Sequence, residues 1–463
     1  MKSVVCHSAK DLRVEHTELP ALGDHQLRVN VAFGGICGSD LHYYQHGGFG
    51  TVRIKQPIAL GHEISGVVDG FGTAVTGVKI GQRIAISPSR PCGHCRFCQA
   101  GQHNHCLNMR FYGSAMPFPH IQGAFSEQLI IEGYQAHPIA DHLSLSEAAL
   151  AEPLSVGLHA IQRAGSVLGK QVLVTGCGPI GSLLIGALRR AGAARIVAAD
   201  IADLPLKCAK EMGADETINL KTQADALDRY KVDKGQFDAV FEASGSEAAL
   251  RVGLDTIAPR GVLITVGMGG DISLPMTQIV AKEVDMRGTF RFHAEFATAV
   301  SLMRKGLIDV KPLITHRFPL VDAVKGFELD ALDYLLKPFN LSRFLKSCQK
   351  AQEWIDLRPK NEPAFLFVKT SDGQVRVDFS DLLYCEAQGN YVTFQLSAQK
   401  IQSRMTLAET EKLLPSYFLR THRSFLVNQN LITKVERHQV WVKSFPVPVS
   451  SSFLDQVKEK IQL

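Results

Sequence analysis

The chain has 463 residues, 45% of them hydrophobic and 21% charged, with a formal net charge of +5. That length predicts two to four domains, the composition excludes a disordered polymer, and so mild a charge neither requires nor forbids a nucleic-acid partner. The opening Met1-Lys-Ser-Val-Val-Cys-His-Ser8 lacks the apolar core of a signal peptide, and no run approaches the roughly 18–20 apolar residues of a membrane span, so a cytoplasmic protein with no membrane partner is expected.

Residues 1–150 are rich in glycine and in short β-forming runs such as Gln26-Leu-Arg-Val-Asn-Val-Ala-Phe33. Their alternation and turn residues predict an antiparallel, barrel-like domain. Within it stand Gly35-Ile-Cys37-Gly-Ser39-Asp-Leu-His42 and Gly61-His62-Glu63. A thiolate, an imidazole and an acidic residue can bind one zinc ion and leave a position open for water or substrate, as a catalytic metal needs. An alcohol bound there loses its proton near neutral pH, and its carbon can then release hydride to a nicotinamide. Ser39 and His42 could pass the proton to solvent. Taken alone, each of these residues has an ordinary explanation; a turn or a core histidine would do.

What changes the balance is Cys92-x2-Cys95-x2-Cys98-x7-Cys106. Four thiolates at this spacing fill a zinc tetrahedron and leave no open position, so the site is structural. In a chain expected in the cytoplasm such a cluster reads as metal rather than as disulfides. Cys6, Cys177, Cys208, Cys348 and Cys385 read as small buried hydrophobes.

Further on, the pattern becomes strand and helix in alternation. Strands are predicted over 172–176, 195–200, 239–243 and 261–266, with a helix over 180–191, which argues for a parallel, doubly wound α/β sheet. Gly176-Cys-Gly178-Pro179-Ile180-Gly181 links the first strand to its helix, and Asp200 ends the second strand. In that context the glycines bring a pyrophosphate to the helix N-terminus, and Asp200 accepts hydrogen bonds from the adenosine ribose. Ile201-Ala202-Asp203 contains no arginine, which favours NAD, with NADP as the alternative.

Together these strings closely resemble zinc-dependent medium-chain dehydrogenases of the sorbitol dehydrogenase group. Within it, Cys37-Gly-Ser-Asp-Leu-His-Tyr-Tyr44, Pro91-Cys-Gly-His-Cys95, Met109-Arg-Phe-Tyr-Gly-Ser114, Val266-Gly-Met-Gly-Gly270 and Gly288-Thr-Phe-Arg-Phe292 are most similar to L-idonate 5-dehydrogenases. The resemblance implies a GroES-like β-barrel catalytic domain over 1–150 and an α/β Rossmann domain with a return segment over 151–327. It implies one catalytic zinc on Cys37, His62 and Glu63, with Glu152 a ligand directly or through water, and one structural zinc. It places Ser39, Tyr43 and Arg291 toward the substrate, and Val266, Gly267 and Met268 at the cofactor. The activity implied is oxidation of a polyol or sugar acid, L-idonate to 5-ketogluconate, by a homo-oligomer. An aldonate carries a carboxylate, which prefers a bidentate guanidinium; Arg110 and Arg291 are the candidates.

After residue 327 the text changes. Tyr334-x2-Lys337-Pro338-Phe339 resembles the last strand of a response-regulator receiver domain, so 328–358 reads as a receiver C-terminal fragment, with a helix over 341–357 and a linker over 358–363. The receiver's acidic pocket and phosphoacceptor are absent, so no phosphorylation switch of that kind is expected. Residues 359–463 resemble a LytTR-type DNA-binding domain through Tyr384-Cys-Glu-Ala-Gln-Gly-Asn390-Tyr391-Val, Phe418-Leu-Arg420-Thr-His422-Arg423-Ser424-Phe-Leu-Val-Asn428 and Pro448-Val-Ser450. That implies a mostly β fold that presents loops to DNA, with contacts from Asn390, His422, Arg423 and Ser451. Asn390 and Arg423 are the expected base readers. Ser451 stands where the family often has a basic residue. Between Arg404 and Lys443, seven Lys/Arg face three Glu, a local excess that suits phosphates.

Phe327-Glu-Leu329 fits both texts, as at the seam of a fusion. The closing strand of a dehydrogenase is then missing, and either Tyr334-Leu-Leu-Lys337 replaces it or an edge stays unpaired. Three readings follow: an active dehydrogenase with a DNA-binding tail, a transcriptional regulator that senses a metabolite, and an inactive chimera.

Overall fold

The computed structural model describes residues 1–329, 365–371, 373–415, 417–450, 452–454 and 457. They fall into two compact bodies, an N-terminal and a C-terminal one.

In the N-terminal body, alternating apolar residues build an antiparallel sheet. Its five strands run in the order Gln128–Glu132, Gln26–Gly35, Glu63–Phe71, Arg83–Ile86 and Ala136–Pro138. Leu27, Val29, Ile64, Val68, Ile84, Ile86 and Ile131 bury together, as the period of two in a strand requires. A smaller sheet joins Lys2–Ser8 to Asp11–His16 and Ile58–Ala59.

Helix Ala151–Ala164 leads into a six-stranded, wholly parallel sheet. Its order is Glu216–Asn219, Arg195–Asp200, Gln171–Thr175, Phe237–Glu242, Ile257–Thr265 and Asp285–Gly288. The order reverses between Gln171–Thr175 and Phe237–Glu242, which opens a crevice at their C-terminal ends where a dinucleotide fits. Val172, Leu173, Val174, Ile196, Val197 and Ala198 are all fully buried, the unbroken apolar run of a sheet covered on both faces. The strand expected at 261 begins earlier, at Ile257. Its register shifts between the pairs Phe237–Ile257 and Ala239–Val262. Arg260 takes a left-handed φ of 61° there, a kink that the apolar pattern does not announce.

Helix Glu295–Arg304 packs on helix Ala151–Ala164, and helix Ala323–Leu329 returns the chain to strand Asp11–His16. Phe327 is fully buried, edge-on to Tyr44 and Phe125.

The C-terminal body is mostly strand. Hairpin Phe365–Thr370/Gly373–Asp378 accompanies a five-stranded antiparallel sheet in the order Lys400–Ser403, Tyr391–Leu396, Leu382–Gln388, Phe425–Asn428 and Phe418–His422. A three-stranded sheet follows over Ile432–Val435, Gln439–Val442 and Phe445–Pro448. Helix Leu407–Leu413 starts at a reciprocal cap between Thr406 and Glu409, the sequence signature of a helix start.

Ser451, Cys348, Tyr334–Lys337, the helix expected at 341–357 and the linker expected at 358–363 lie outside the described residues. Of the receiver-like segment, Glu328 and Leu329 alone are described, and they end helix Ala323–Leu329. Among the described residues no helix is long and apolar enough to cross a membrane.

Candidate active site

Strand Gln26–Gly35 ends where Cys37 takes an extended backbone and caps helix Gly38–His46. Antiparallel pairing sets Glu63 opposite Gly35. A Cβ on Gly35 would lie 2.1 Å from Glu63 Oε2, so the carboxylate folds over the bare backbone of a glycine. Gly61 turns the chain into His62 with φ +95°, and a Cβ there would strike the Phe125 ring at 2.4 Å. The result is a thiol, an imidazole and a carboxylate, from Cys37, His62 and Glu63, whose donor atoms lie within 4.8 Å of one another.

The electrostatics of this cluster suit a metal. Burial, with a smaller push from the Asp40 charge, raises the Glu63 carboxyl to about 7 against the pull of His62. Burial lifts the Cys37 thiol well above its usual range, and Glu63, Asp40 and Glu152 add to the effect. Glu152, buried in the first turn of helix Ala151–Ala164, is raised by burial to about 8. Burial alone would lower His62, but Asp40, Glu152 and Glu63 more than compensate and raise it. Several desolvated acids around one imidazole suit a bound cation. One sulfur, one nitrogen and one carboxylate oxygen, with a second carboxylate beside them, fit Zn²⁺ with a position left open.

Asp40 escaped the reading of the sequence. It is fully buried and accepts the backbone N–H groups of Cys37 and Gly61, each at 3.1 Å. Its Oδ1 is 3.8 Å from His62 Nδ1. One carboxylate thus ties together the two loops that carry the donors and faces the imidazole from behind. The available signal was an acidic residue three positions after the helix cap, reaching back to it. We expect Asp40→Asn to lower affinity for the catalytic zinc by about 10–100-fold, the usual cost of losing such a partner. Zinc retention against a graded chelator measures it.

Ser39 stands beside the Cys37 thiol and works against the upward push of burial on it. His42 lies one turn along, its ring centroid 6.0 Å from that of His46 and 6.3 Å from that of Phe49. Burial, helped by His46, holds His42 below its ordinary value, toward the neutral form. The buried Tyr43 hydroxyl accepts the Ala115 backbone N–H at 2.9 Å and feels the charge of Arg291.

Arg291 is a non-glycine residue at φ 53°, which costs strain and must be held by its surroundings. Its guanidinium carbon stands 4.5 Å from the Phe111 ring centroid and 5.0 Å from that of Phe290. Burial lowers its pKa, while Tyr43 and Glu152 favour the charge. The same Phe111 ring lies 5.6 Å from His62, so Arg291 shares a wall with the donor cluster. Arg110, the other candidate, is exposed on a two-residue strand opposite Arg90.

Glu295 anchors the Arg291 segment to helix Ala151–Ala164. Its carboxylate meets His159 Nδ1 at 2.8 Å and accepts the His293 backbone N–H at 3.0 Å. Burial would raise this carboxyl, but the His159 hydrogen bond and the His293 N–H outweigh it and set the pKa at about 2, below the ordinary 4.5. A depressed folded-state pKa stabilises above the unfolded value and loses that contribution as pH falls through the folded one. The stability gap between the wild type and Glu295→Gln should therefore be full above pH 4.5 and shrink toward pH 2. Denaturant titrations across that window read it; a gap independent of pH would refute the assignment.

The four cysteines form their own lobe. Cys92, Cys95, Cys98 and Cys106 bring their sulfurs within 4.8 Å of one another. Cys106 Sγ accepts the backbone N–H groups of Cys92 at 3.2 Å and Asn108 at 3.4 Å. A hydrogen bond from the His94 backbone leads in holding the Cys92 thiol down to about 6, whereas burial pushes Cys98 up to about 12. Backbone donors aimed at sulfur fit thiolates, and four thiolates fit a closed Zn²⁺ site.

The nucleotide loop lies at the sheet crevice. Gly176 has φ +84°, and a Cβ there would sit 2.6 Å from Ser244 N; one on Gly181 would sit 1.9 Å from Gly176 O. Gly178, the cap of helix Pro179–Arg190, has open space beside it, which lets a pyrophosphate approach. Pro179 opens the helix and is exposed, with Ile180 half-buried behind it. Asp200 Oδ2 accepts the Cys177 N–H at 2.7 Å, and Oδ1 accepts those of Ile201 at 2.7 Å and Ala202 at 3.0 Å. The carboxylate is braced at the strand end with Oδ2 still able to accept a second bond. Across the crevice, Val266 and Gly267 donate their N–H groups to Glu242 O at 2.7 and 2.9 Å, and Met268 is exposed. Glu242, read from the sequence as mere strand, also accepts the N–H groups of Ser244 and Gly245. The cradle fits a dinucleotide.

In the C-terminal body, Asn390 follows Gly389 at φ 59° in the turn joining strands Leu382–Gln388 and Tyr391–Leu396. His422 ends strand Phe418–His422, and Arg423 opens the turn before Phe425–Asn428. Glu386 pairs with Phe425, and the Ala387 N–H reaches Ser424 O at 2.9 Å. Both turns therefore lie at the same end of adjacent strands. Ser450 joins them through its N–H to Thr421 O at 2.9 Å. Asn390 and Arg423 are exposed and His422 half-buried. Arg420 is engaged by Glu411 and Lys434 by Glu436, whereas Arg423 makes no ion pair among the described residues.

Comparison with known proteins agrees with this geometry. Residues 23–141 match the alcohol dehydrogenase GroES-like domain, 179–305 the zinc-binding dehydrogenase family and 372–462 the LytTr DNA-binding domain. The L-idonate 5-dehydrogenase (NAD(P)(+)) of Escherichia coli K12 is 44% identical over 295 residues, 64% of this chain and 85% of that protein. The sorbitol dehydrogenase of Gallus gallus is 37% identical over 330 residues, 70% of this chain and 92% of that one. The crystal structure of L-idonate 5-dehydrogenase from Escherichia coli K-12 superposes with a TM-score of 0.68 at 41% identity, covering 71% of this chain and 94% of that one. The chain thus belongs to the zinc-dependent, NAD(P)-linked medium-chain dehydrogenases, built on GroES-like and Rossmann-type folds, and carries a LytTr DNA-binding domain at its C-terminal end.

Proposed function

We propose that the N-terminal body oxidises an aldonate, L-idonate to 5-ketogluconate, and that the C-terminal body binds DNA. The observation that carries the first half is a guanidinium, Arg291, held beside the donor cluster and Glu152. A neutral polyol needs no such cation, whereas a sugar acid does. Domain limits at 1–150, 151–327 and 359–463, with 328–358 as a connecting remnant, accommodate this division.

Cys37, His62 and Glu63 would hold the catalytic zinc, with Glu152 beside them; Cys92, Cys95, Cys98 and Cys106 would hold the structural one. When bound, zinc acidifies the substrate hydroxyl and the dinucleotide accepts hydride. The protein's own residues orient and deprotonate. Arg291 takes the carboxylate and Tyr43 a sugar hydroxyl. Ser39 passes the hydroxyl proton to His42, whose depressed pKa keeps it ready to accept. Gly176, Gly178, Pro179, Ile180 and Gly181 admit the pyrophosphate. Asp200 takes a ribose hydroxyl, which favours NAD, and Val266, Gly267 and Met268 line the nicotinamide side.

The test is reduction of NAD⁺ and of NADP⁺ by the full chain, with L-idonate and sorbitol side by side, with and without a zinc chelator. Chelator-sensitive turnover that prefers L-idonate is expected. A zinc-replete protein inert toward both substrates would overturn the enzymatic reading.

For DNA, Asn390 and Arg423 read base edges and His422 supports them; Ser451 is a contact by resemblance alone. Arg423→Ala should weaken binding to a duplex selected from a random pool. If Arg423 also neutralises a phosphate, the slope of log affinity against log salt falls by about 1. A variant indistinguishable from wild type at every salt concentration removes Arg423 from the interface.

A further inference from the structure

We infer that the four-cysteine lobe is the outer jaw of a clamp that positions Arg291, and that Asn104 is its positioning residue. The inference rests on the reading of Arg291 as the substrate-carboxylate ligand. Between Cys98 and Cys106 runs the short turn His103-Asn104-His105. Asn104 Nδ2 donates to the carbonyl of Phe290 at 3.0 Å. The His103 ring stacks on His293, centroids 4.3 Å apart, and His105 lies parallel to Phe290 at 6.3 Å. These contacts fall on residues 290 and 293, which bracket Arg291.

The bracketed residue is the strained one. At φ 53° Arg291 sits in a region that a non-glycine residue leaves unless held. Phe290, gripped by the lobe, also presents its ring to the guanidinium at 5.0 Å. The inner jaw is Glu295, which pins the His293 N–H and reaches His159 on the helix that bears Glu152. With both jaws closed, the guanidinium is fixed relative to Glu152 and the donor cluster. With the outer jaw open, the backbone can relax toward ordinary φ and swing the long side chain away. A site meant to read a carboxylate loses affinity once its donor is no longer preorganised. The lobe then does more than hold the barrel together: it sets the preference for acid over neutral substrates.

Asn104→Ala deletes the bond without touching a zinc ligand. In the zinc-loaded full chain we expect KM for L-idonate to rise about fivefold, the scale of one exposed hydrogen bond. The kcat for L-idonate and the KM for sorbitol should change little. In an Arg291→Ala background the same change should add nothing, because the positioned group is gone. Amide hydrogen exchange over 289–293 should quicken, while zinc content and melting temperature hold. A substitution that merely loosens the fold would move both KM values together. Equal changes for the two substrates, or unaltered exchange over 289–293, overturn the clamp. If Arg291→Ala abolishes the preference for L-idonate and Asn104→Ala does not, the clamp fails and Arg291's role stands. If Arg291→Ala leaves the preference intact, the carboxylate reading itself fails and the role assigned to Asn104 falls with it. In a preparation without turnover, the exchange comparison decides on the clamp.

Discussion

Arg291→Ala should raise KM for L-idonate by roughly 100-fold, while turnover of sorbitol falls far less. The size follows from the partner left behind. A carboxylate bound without its guanidinium in a largely buried site loses charge-assisted bonds worth a few kcal/mol, about two orders of magnitude in affinity. Arg291→Lys should recover only part of the loss, because an ammonium keeps the charge but not the planar fork. Steady-state kinetics on both substrates provide the measurement. Equal losses for L-idonate and sorbitol would mean that Arg291 supports the fold of the site rather than reading the acid.

The second large effect is expected from His62→Ala. The imidazole is the only nitrogen among three donors within 4.8 Å of one another, and it stands among the Asp40, Glu63 and Glu152 carboxyls. Removing it leaves a thiol and a carboxylate where a catalytic zinc takes three protein ligands. Zinc analysis should show loss of one ion while the four-cysteine lobe keeps its own. Turnover should fall by at least about 1000-fold, the scale expected when the Lewis acid departs. A control separates site from fold. Added zinc should raise the wild-type melting temperature after mild chelation, by mass action on the folded state, and should have little effect on the variant. Retained zinc with lost turnover would instead assign His62 to proton transfer.

Much of this was legible in the sequence because it depends on local spacing. Cysteines with two residues between them in one loop converge readily, and Gly176-Cys-Gly-Pro-Ile-Gly181 between a strand and a helix prescribes its own turn. The parallel sheet announced itself through apolar runs such as Val172–Val174 and Ile196–Ala199, now found buried. What the reading missed depends on pairing across the chain. Asp40 matters because strand register brings Gly61 to its carboxylate, 21 residues away, and nothing in Cys37-Gly-Ser-Asp40 alone says so. Glu242 matters because two loops from different strands end at it. Arg110 and Arg291 looked equivalent as text. One lies exposed on a short strand and the other is held in a left-handed turn beside Phe111, a difference made by tertiary packing.

Phe327 has a consequence for where a second module can be joined. Its ring rests on Tyr44, from the helix that Cys37 caps, and on Phe125, the ring over which Gly61 turns into His62. Both loops that bear catalytic donors thus lean, through one intermediary ring each, on the last aromatic side chain before the text changes. Replacing such a buried phenylalanine by alanine typically costs about 3–5 kcal/mol. A graft placed a few residues earlier would have removed that ring and slackened the metal site from behind; placed after Leu329, it leaves the hydrophobic support of the site whole. A junction that spares Phe327 keeps both donor-bearing loops backed by an aromatic ring.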